Sequence, residues 1–248
     1  MKAMVLAAGL GTRLRPLTDN RPKALVEVGG RTMLEITLAR LHDFGITEVI
    51  VNAHHFADQI VAYLNANNRF GMRIEVSRED VLLDTGGGLK KAAHFFLDGP
   101  GGASEPFVLH NVDVISTIDL RRMAQVHAES EALATLAVQD RETSRYLLFD
   151  EKLQLCGRRT AGNQQDEIVR QTPALTPLAF CGVHVISPRI FPLMMETGIF
   201  SIITTYLRLA AAGEKIAAFR ADQYYWRDLG RSEHVRQAGE DMKQGAVR

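Results

Sequence analysis

Cysteine is scarce in this chain. Cys156 and Cys181 are its two cysteines, and no CxxC or Cys/His spacing surrounds them, which argues against a disulfide framework or a structural zinc site and fits a reducing, cytoplasmic setting. A surplus of either charge is also missing. Lys and Arg number 29 against 29 Asp and Glu, so no net field would draw in nucleic acid or a membrane surface, and any anion site must be local. Long apolar runs are absent as well. The start MVLAA is too short for a signal-peptide core and is cut off by Arg13 and Arg15, and nothing approaches the length of a membrane span. There is no internal repeat, low-complexity tract or long linker. A soluble protein without nucleic-acid or membrane partners is expected, as a monomer or homodimer.

What is present is enough for a substantial core: 248 residues, 46% of them hydrophobic and 23% charged, suit one domain or a domain with a subdomain. Met4 to Ala7 reads as a continuous apolar strand, the pattern of a parallel strand covered on both faces. Thr32 and Glu35 have capping-box spacing and are followed by Leu38, Leu41 and Phe44 at helical intervals before Gly45. Strands are expected at 48–53, 72–78 and 106–113, with helices at 56–66 and 86–97 between them. Such βαβ alternation predicts a Rossmann-like, mostly parallel sheet flanked by helices, with ligands at the carboxyl ends of the strands, where Gly9 and Asp113 fall.

Beyond residue 130 the pattern changes. LATLAVQD, RYLLFD and KLQLCG (152–157) look like short antiparallel strands, joined to LAFCGVHVI by a polar, irregular stretch at 158–177. Helices near 188–195 and 200–212 precede KIAAFRA, YYWRDL and a last helix from Ser232 to Lys243. The whole reads as a single domain over 1–248: a nucleotide-binding half at 1–130, a small antiparallel sugar-binding portion at 131–225, and a returning strand with its closing helix at 226–248.

The stretch VLAAGLGTRLR (5–15) poses the functional question. It supplies Gly9 and Gly11 of a GxGxxG turn, but Leu14 stands where the third glycine serves helix–sheet packing, and Pro16 disrupts a helix there. A Walker-type loop fails because no GK[ST] follows. What remains is flexible backbone beside Arg13 and Arg15, then Lys23 after Pro22. Taken singly these residues read as a solvated basic loop. Together after the first strand they suit a polyphosphate, since glycine lets N–H groups approach and Arg and Lys supply a donor fork and a point charge.

LAAGLGTRLRPLT followed by RPKALVEVGGRTMLE resembles the signature of sugar-1-phosphate nucleotidylyltransferases, approximately LAAGxGTRLxPLT…PKxLxxVxxxPxLE. The resemblance implies that Leu6, Ala7, Ala8, Gly9, Gly11 and Thr12 wrap a nucleoside triphosphate, while Arg13 and Lys23 neutralise its phosphates. LLDTGGGLKKA (82–92) resembles the family's ETGGG segment over base and ribose, which implicates Thr85, Gly86 and Gly87; read alone it is equally a glycine-rich turn with Thr85 as helix N-cap. HNVDV (110–114) stands in the place of a strand end whose aspartate binds Mg²⁺, with Val112 replacing the usual glycine. YYWRDLGRSEHV (224–235) resembles the segment carrying a second Mg²⁺ aspartate, with Arg231 where threonine is usual. By resemblance, then, Asp113 and Asp228 are metal ligands, and Asn111 and Gly182, the latter within LAFCGVHVISPRIF, lie near the sugar.

The implied reaction joins a nucleoside triphosphate (UTP or GTP) to a sugar 1-phosphate, with Mg²⁺ as cofactor. The chain stops just after its closing helix and lacks hexapeptide repeats, and with DTGGG it looks most like N-acetylmuramate-1-phosphate uridylyltransferases, with mannose- or heptose-1-phosphate guanylyltransferases close behind. Arg158, Arg159 and Arg170 are candidates to meet an acidic sugar. His54 and His55, on opposite faces of a strand, are expected to be surface or structural, and Phe191 to Met195 and Phe200 to be packing residues. A non-catalytic nucleotide-sugar sensor is the competing class, favoured by Val112 and Arg231. A nicotinamide-dependent dehydrogenase is disfavoured by Leu14, Pro16 and the basic loop.

Overall fold

The computed structural model describes residues 1–98, 104–162 and 165–247. Strand β1 (Ala3–Leu6) runs into the glycine loop, a 3₁₀ turn at Thr12–Leu14 and a second at Lys23–Leu25. A small hairpin, β2 (Glu27–Val28) and β3 (Arg31–Thr32), then feeds α1 (Met33–Asp43). Next come β4 (Glu48–Ala53), α2 (Ala57–Ala66), β5 (Arg73–Arg78), α3 (Asp84–Lys91), α4 (Ala93–Leu97) and β6 (Phe107–Asn111). After these come β7 (Val114–Ser116), α5 (Leu120–Ser130), β8 (Ala134–Gln139), β9 (Arg145–Phe149), β10 (Leu155–Thr160), β11 (Glu167–Ile168) and β12 (Thr176–Ile186). The chain ends through α6 (Ile202–Ala211), β13 (Ile216–Arg220), β14 (Trp226–Asp228) and α7 (Ser232–Lys243).

These strands build a mixed ten-stranded sheet in the order β11-β10-β9-β12-β6-β1-β4-β5, with β8 against β12 and β13 against β8. Its centre is parallel, β1 lying between β4 and β6. The antiparallel strands of the second half continue that sheet through β12. Alternate residues of β1 enter opposite cores: Ala3 and Val5 join α1, α2, α5 and α7 on one face, and Met4 joins α3, α4 and α6 on the other. Burial on both faces is why the first strand reads as an unbroken apolar run. Among the described residues, no helix is long and apolar enough to cross a membrane.

Several boundaries differ from the sequence expectations for local reasons. Thr32 caps α1 by accepting from Glu35 N at 3.1 Å, but the Glu35 carboxylate turns to Arg31 and Tyr63 and does not close the box. The helix expected at 86–97 starts at Asp84 and breaks at Ala92. The strand expected at 152–157 starts at Leu155 and runs to Thr160, so part of the stretch expected to be irregular is paired; residues 163–164 of that stretch lie outside the described residues. The helix expected near 188–195 is a 3₁₀ segment, Pro188–Leu193, since Pro192 has no amide hydrogen to extend an α-helix. Phe191 and Met194 are buried there, whereas Met195 is exposed. Helix α5 has no counterpart in the sequence reading, although Asp119 caps it through Arg122 N and buries Leu120, Met123 and His127 at helical spacing.

Candidate active site

The loop after β1 is held by its glycine and its leucine. Gly11 has φ +64°, and a Cβ there would lie 2.9 Å from Thr18 Cγ2 and 3.1 Å from Lys23 Cβ, so close packing and left-handed backbone both require glycine. The Thr18 hydroxyl donates to Gly11 O at 2.9 Å. Leu14, the residue that breaks the GxGxxG pattern, is fully buried in the core. It anchors the 3₁₀ turn and leaves the neighbouring Arg13 exposed.

Lys23 sits at the start of its own 3₁₀ turn, nearly buried, and its ammonium is ion-paired with the Asp113 carboxylate. Asp113 lies in the two-residue turn between β6 and β7. Asp228 ends β14, which pairs antiparallel with β7 so that Asp228 faces Val114, and Leu229 N donates to Asp113 O at 2.8 Å. Two carboxylates 115 positions apart thus become neighbours at one edge of the sheet. Asp228 Oδ1 accepts from Gly230 N at 2.9 Å, and a Cβ on Gly230 would lie 2.7 Å from both Arg13 Nη2 and Asp228 Oδ1. Gly230 therefore leaves room for the guanidinium beside the aspartate. Val112 is buried and outside the left-handed φ region, so valine is accommodated where glycine was expected.

These residues fit a hard divalent cation. Asp113 already holds a cation, the Lys23 ammonium, and Asp228 lies beside it with oxygen donors. Among the described residues no cluster of three or more His, Cys, Asp or Glu occurs. Two carboxylates with the remaining positions left to water and phosphate oxygens is the usual pattern for Mg²⁺.

Three adjoining cavities meet at this point. One, of about 350 Å³, is bordered by Leu6, Ala7, Ala8, Thr85, Asn111 and Asp113. The second, of about 300 Å³, is lined by Gly11, Thr12, Arg13 and Gly230, and shares Gly9 and Lys23 with the first. A third, of about 740 Å³, takes in Arg13, Asn111, Gly182 and Asp228. Gly182 has φ +74° in the bulge of β12, and a Cβ there would lie 2.9 Å from Asn111 Nδ2. The two residues expected near the sugar are therefore in contact.

Two members of the first cavity's support escape sequence reasoning. Ala7 N donates to Asn52 Oδ1 at 2.7 Å, Asn52 Nδ2 donates to Glu79 Oε1 at 2.7 Å, and Leu83 N donates to Glu79 Oε2 at 3.0 Å. Asn52 and Glu79 are buried and tie the loop after β1 through β4 to the 79–83 loop; the one cue in the sequence is a polar residue inside the apolar run EVIVNA. Gly86 and Gly87 serve packing. A Cβ on Gly86 would lie 2.4 Å from the Phe200 ring, one on Gly87 would lie 2.5 Å from Gly198 O, and both amides donate to Phe200 O. Thr85, inside α3 and not at its cap, lines the cavity while its hydroxyl accepts from Ile202 N.

The arginines expected to meet an acidic sugar are engaged elsewhere. Arg158 pairs with Glu167, Arg159 with Asp166, and Arg170 with Asp150, all away from the third cavity because β10 and β11 form the far edge of the sheet. Arg141, Arg145, Arg227 and Arg231 line it instead. Cys181 also borders it, its thiol pushed up to about 12 by burial, and both cysteines are buried and unpaired. His54 bonds through Nδ1 to Glu79 O, and His55 is exposed.

Residues 2–149 match the family model described as nucleotidyl transferase. The chain is 36% identical over 237 residues to an N-acetylmuramate alpha-1-phosphate uridylyltransferase of Caulobacter vibrioides, covering 92% of this chain and 91% of that protein. It is 35% identical over 139 residues to a mannose-1-phosphate guanyltransferase of Aspergillus fumigatus, covering 56% and 37%. A solved UDP-glucose pyrophosphorylase bound to UDP-glucose shares the fold, with TM-score 0.78 at 17% identity over 98% of both chains.

Proposed function

The chain belongs to the nucleotidyl transferase family, and from that premise we propose that it makes a nucleotide sugar from UTP and N-acetylmuramate 1-phosphate with Mg²⁺ as cofactor. The observation that carries the proposal is the convergence of Arg13, Lys23, Asp113 and Asp228 where the three cavities meet. In this reading the first cavity takes the nucleoside, the second the β- and γ-phosphates, and the third the sugar.

A phosphate oxygen of the sugar 1-phosphate attacks the α-phosphorus in line. The new P–O bond forms as the α–β bridging bond breaks, and pyrophosphate leaves with the electron pair. The nucleophile is already an anion, so no histidine base is needed. Catalysis rests on positioning and charge neutralisation. Arg13 faces both the phosphate and sugar cavities and holds the triphosphate at the reacting centre. Lys23 exchanges the Asp113 carboxylate for phosphate oxygens as substrate enters. Asp113 and Asp228 would hold Mg²⁺, which supplies Lewis-acid withdrawal of charge from the phosphates.

GTP with mannose or heptose 1-phosphate is the second reading. Asp84 borders the nucleoside cavity, and a carboxylate can accept from both N1–H and N2–H of guanine. The test is pyrophosphate release with Mg²⁺, each of UTP, GTP, CTP, dTTP and ATP, and a panel of sugar 1-phosphates. Turnover confined to UTP with N-acetylmuramate 1-phosphate is expected. Preference for GTP with a hexose 1-phosphate would establish the second reading, and no turnover across the panel would leave a nucleotide-sugar sensor.

A further inference from the structure

The chain carries no net charge, yet the sugar-side cavity concentrates positive charge. Of the arginines lining it, Arg227 is paired with Asp241, while Arg13, Arg141, Arg145 and Arg231 have no carboxylate ion pair among the described residues. The carboxylates bordering the same cavity are Asp228, the proposed metal ligand, and Glu142. Arg13 also lines the phosphate cavity; Arg141 lines the sugar cavity and not the phosphate cavity.

Arg141 is also the best fixed of the four. Its guanidinium carbon lies 3.7 Å from the centre of the Trp226 ring, and Nη2 donates to Phe180 O at 2.9 Å. Trp226 is itself held, its indole N–H donating to Cys181 O at 2.8 Å. Nε is shielded from solvent and has no partner. A partly desolvated guanidinium that lines the cavity without a carboxylate partner, immobilised on an aromatic face, is arranged for a planar, bidentate anion.

We infer that Arg141, stacked on Trp226, binds a carboxylate carried by the sugar itself, separate from its 1-phosphate, and thereby selects acidic over neutral sugars. The inference rests on the reading of the third cavity as the sugar site. It explains why the one tryptophan of the chain stands in the cavity wall: that ring holds the guanidinium flat against β12.

The test compares N-acetylmuramate 1-phosphate with N-acetylglucosamine 1-phosphate, which lacks the lactyl carboxylate, in wild type, Arg141→Gln and Arg141→Lys. Wild type should favour the acidic sugar. Arg141→Gln should lower kcat/KM for it by about 10- to 100-fold, chiefly through KM, and change the neutral sugar by less than about threefold. Arg141→Lys, which keeps the charge but loses the fork, should fall between them. Equal losses on both sugars would mean that Arg141 serves the phosphate or the fold and would overturn the inference, as would no loss on either.

A second readout needs no turnover. Free N-acetylmuramate should change Trp226 fluorescence saturably in wild type and not in Arg141→Gln, and N-acetylglucosamine should change neither. If wild type turns over no sugar phosphate while this response persists, the proposed reaction fails and the carboxylate site stands. If turnover is normal and the response is absent, the carboxylate site fails alone.

Discussion

Lys23 and Asp113, ninety positions apart, form a nearly buried ion pair at the junction of the three cavities. Asp113 thus has two duties, as counter-ion of Lys23 and as proposed metal ligand, whereas Asp228 is a proposed metal ligand whose other contact, accepting from Gly230 N, an asparagine can keep. Asp113→Asn and Asp228→Asn should each nearly abolish Mg²⁺-dependent turnover. Only Asp113→Asn should also lower stability, by about 1–3 kcal/mol, because it strands the Lys23 ammonium. Denaturant titration alongside pyrophosphate release separates the two effects; wild-type activity in either variant would remove that residue from the metal site. Lys23→Ala should reduce turnover far more than Lys243→Ala on the closing helix.

The Ala7–Asn52–Glu79–Leu83 chain of hydrogen bonds holds the glycine loop at a fixed distance from the 79–83 loop that leads into α3. A glutamine at 79 offers one acceptor and one donor where two N–H groups need acceptors, so Glu79→Gln should cost about 1–3 kcal/mol of stability. It should raise KM for the nucleotide more than KM for the sugar phosphate. Steady-state kinetics varying each substrate in turn check this, and equal changes in both constants would show that the clamp does not act on the nucleoside cavity alone.

Gly182 has neither the backbone conformation nor the space for a side chain. Gly182→Ala should displace Asn111 and raise the sugar-phosphate KM several-fold. Nucleotide binding, measured calorimetrically, should weaken less than sugar-phosphate binding, since Asn111 borders both cavities but Gly182 only the third. Stability should fall by about 1–3 kcal/mol from the strained left-handed φ and the close contacts.

Acid should destabilise the fold through histidines that the reaction does not use. Burial lowers His110 and His127 to about 4 and His184 to about 3, with Arg40 adding to the effect at His110 and Arg189 at His127. Their stabilising contribution is full above the unfolded value near 6.5 and is lost as pH falls toward those lowered values, because the unfolded chain binds the protons first. By pH 5 each would have cost about 2 kcal/mol. Denaturation midpoints at pH 7 and pH 5 measure the slope, and His184→Gln, which retains a partner for Tyr206, should reduce it. An unchanged slope would show that His184 does not contribute.

The closing helix was legible to the residue, since Ser232 and Lys243 bound it in both sequence and structure. Helix α5 was not, because its cap, Asp119, looks like any loop aspartate until Leu120, Met123 and His127 are seen to be buried. The glycine loop after the first strand was legible because Gly9, Gly11 and Arg13 are close along the chain. Whether Arg158, Arg159 and Arg170 meet an acidic sugar or nothing was open in the sequence, since proximity along the chain does not reveal that each has a carboxylate across a strand pair or turn.

By itself, then, the sequence determined what depends on neighbours along the chain: the buried first strand, the glycine loop that follows it, the βαβ alternation and the residue types suited to phosphate and Mg²⁺. Tertiary structure alone decided what depends on pairing across it. The β7–β14 ladder makes Asp113 and Asp228 neighbours over 115 positions, and the β12 bulge seats Gly182 on Asn111. Trp226 turns Arg141 into a fixed cation. Each of these joins residues in or beside strands whose register is set by which faces the core buries, and that requirement becomes visible only when the whole sheet is assembled.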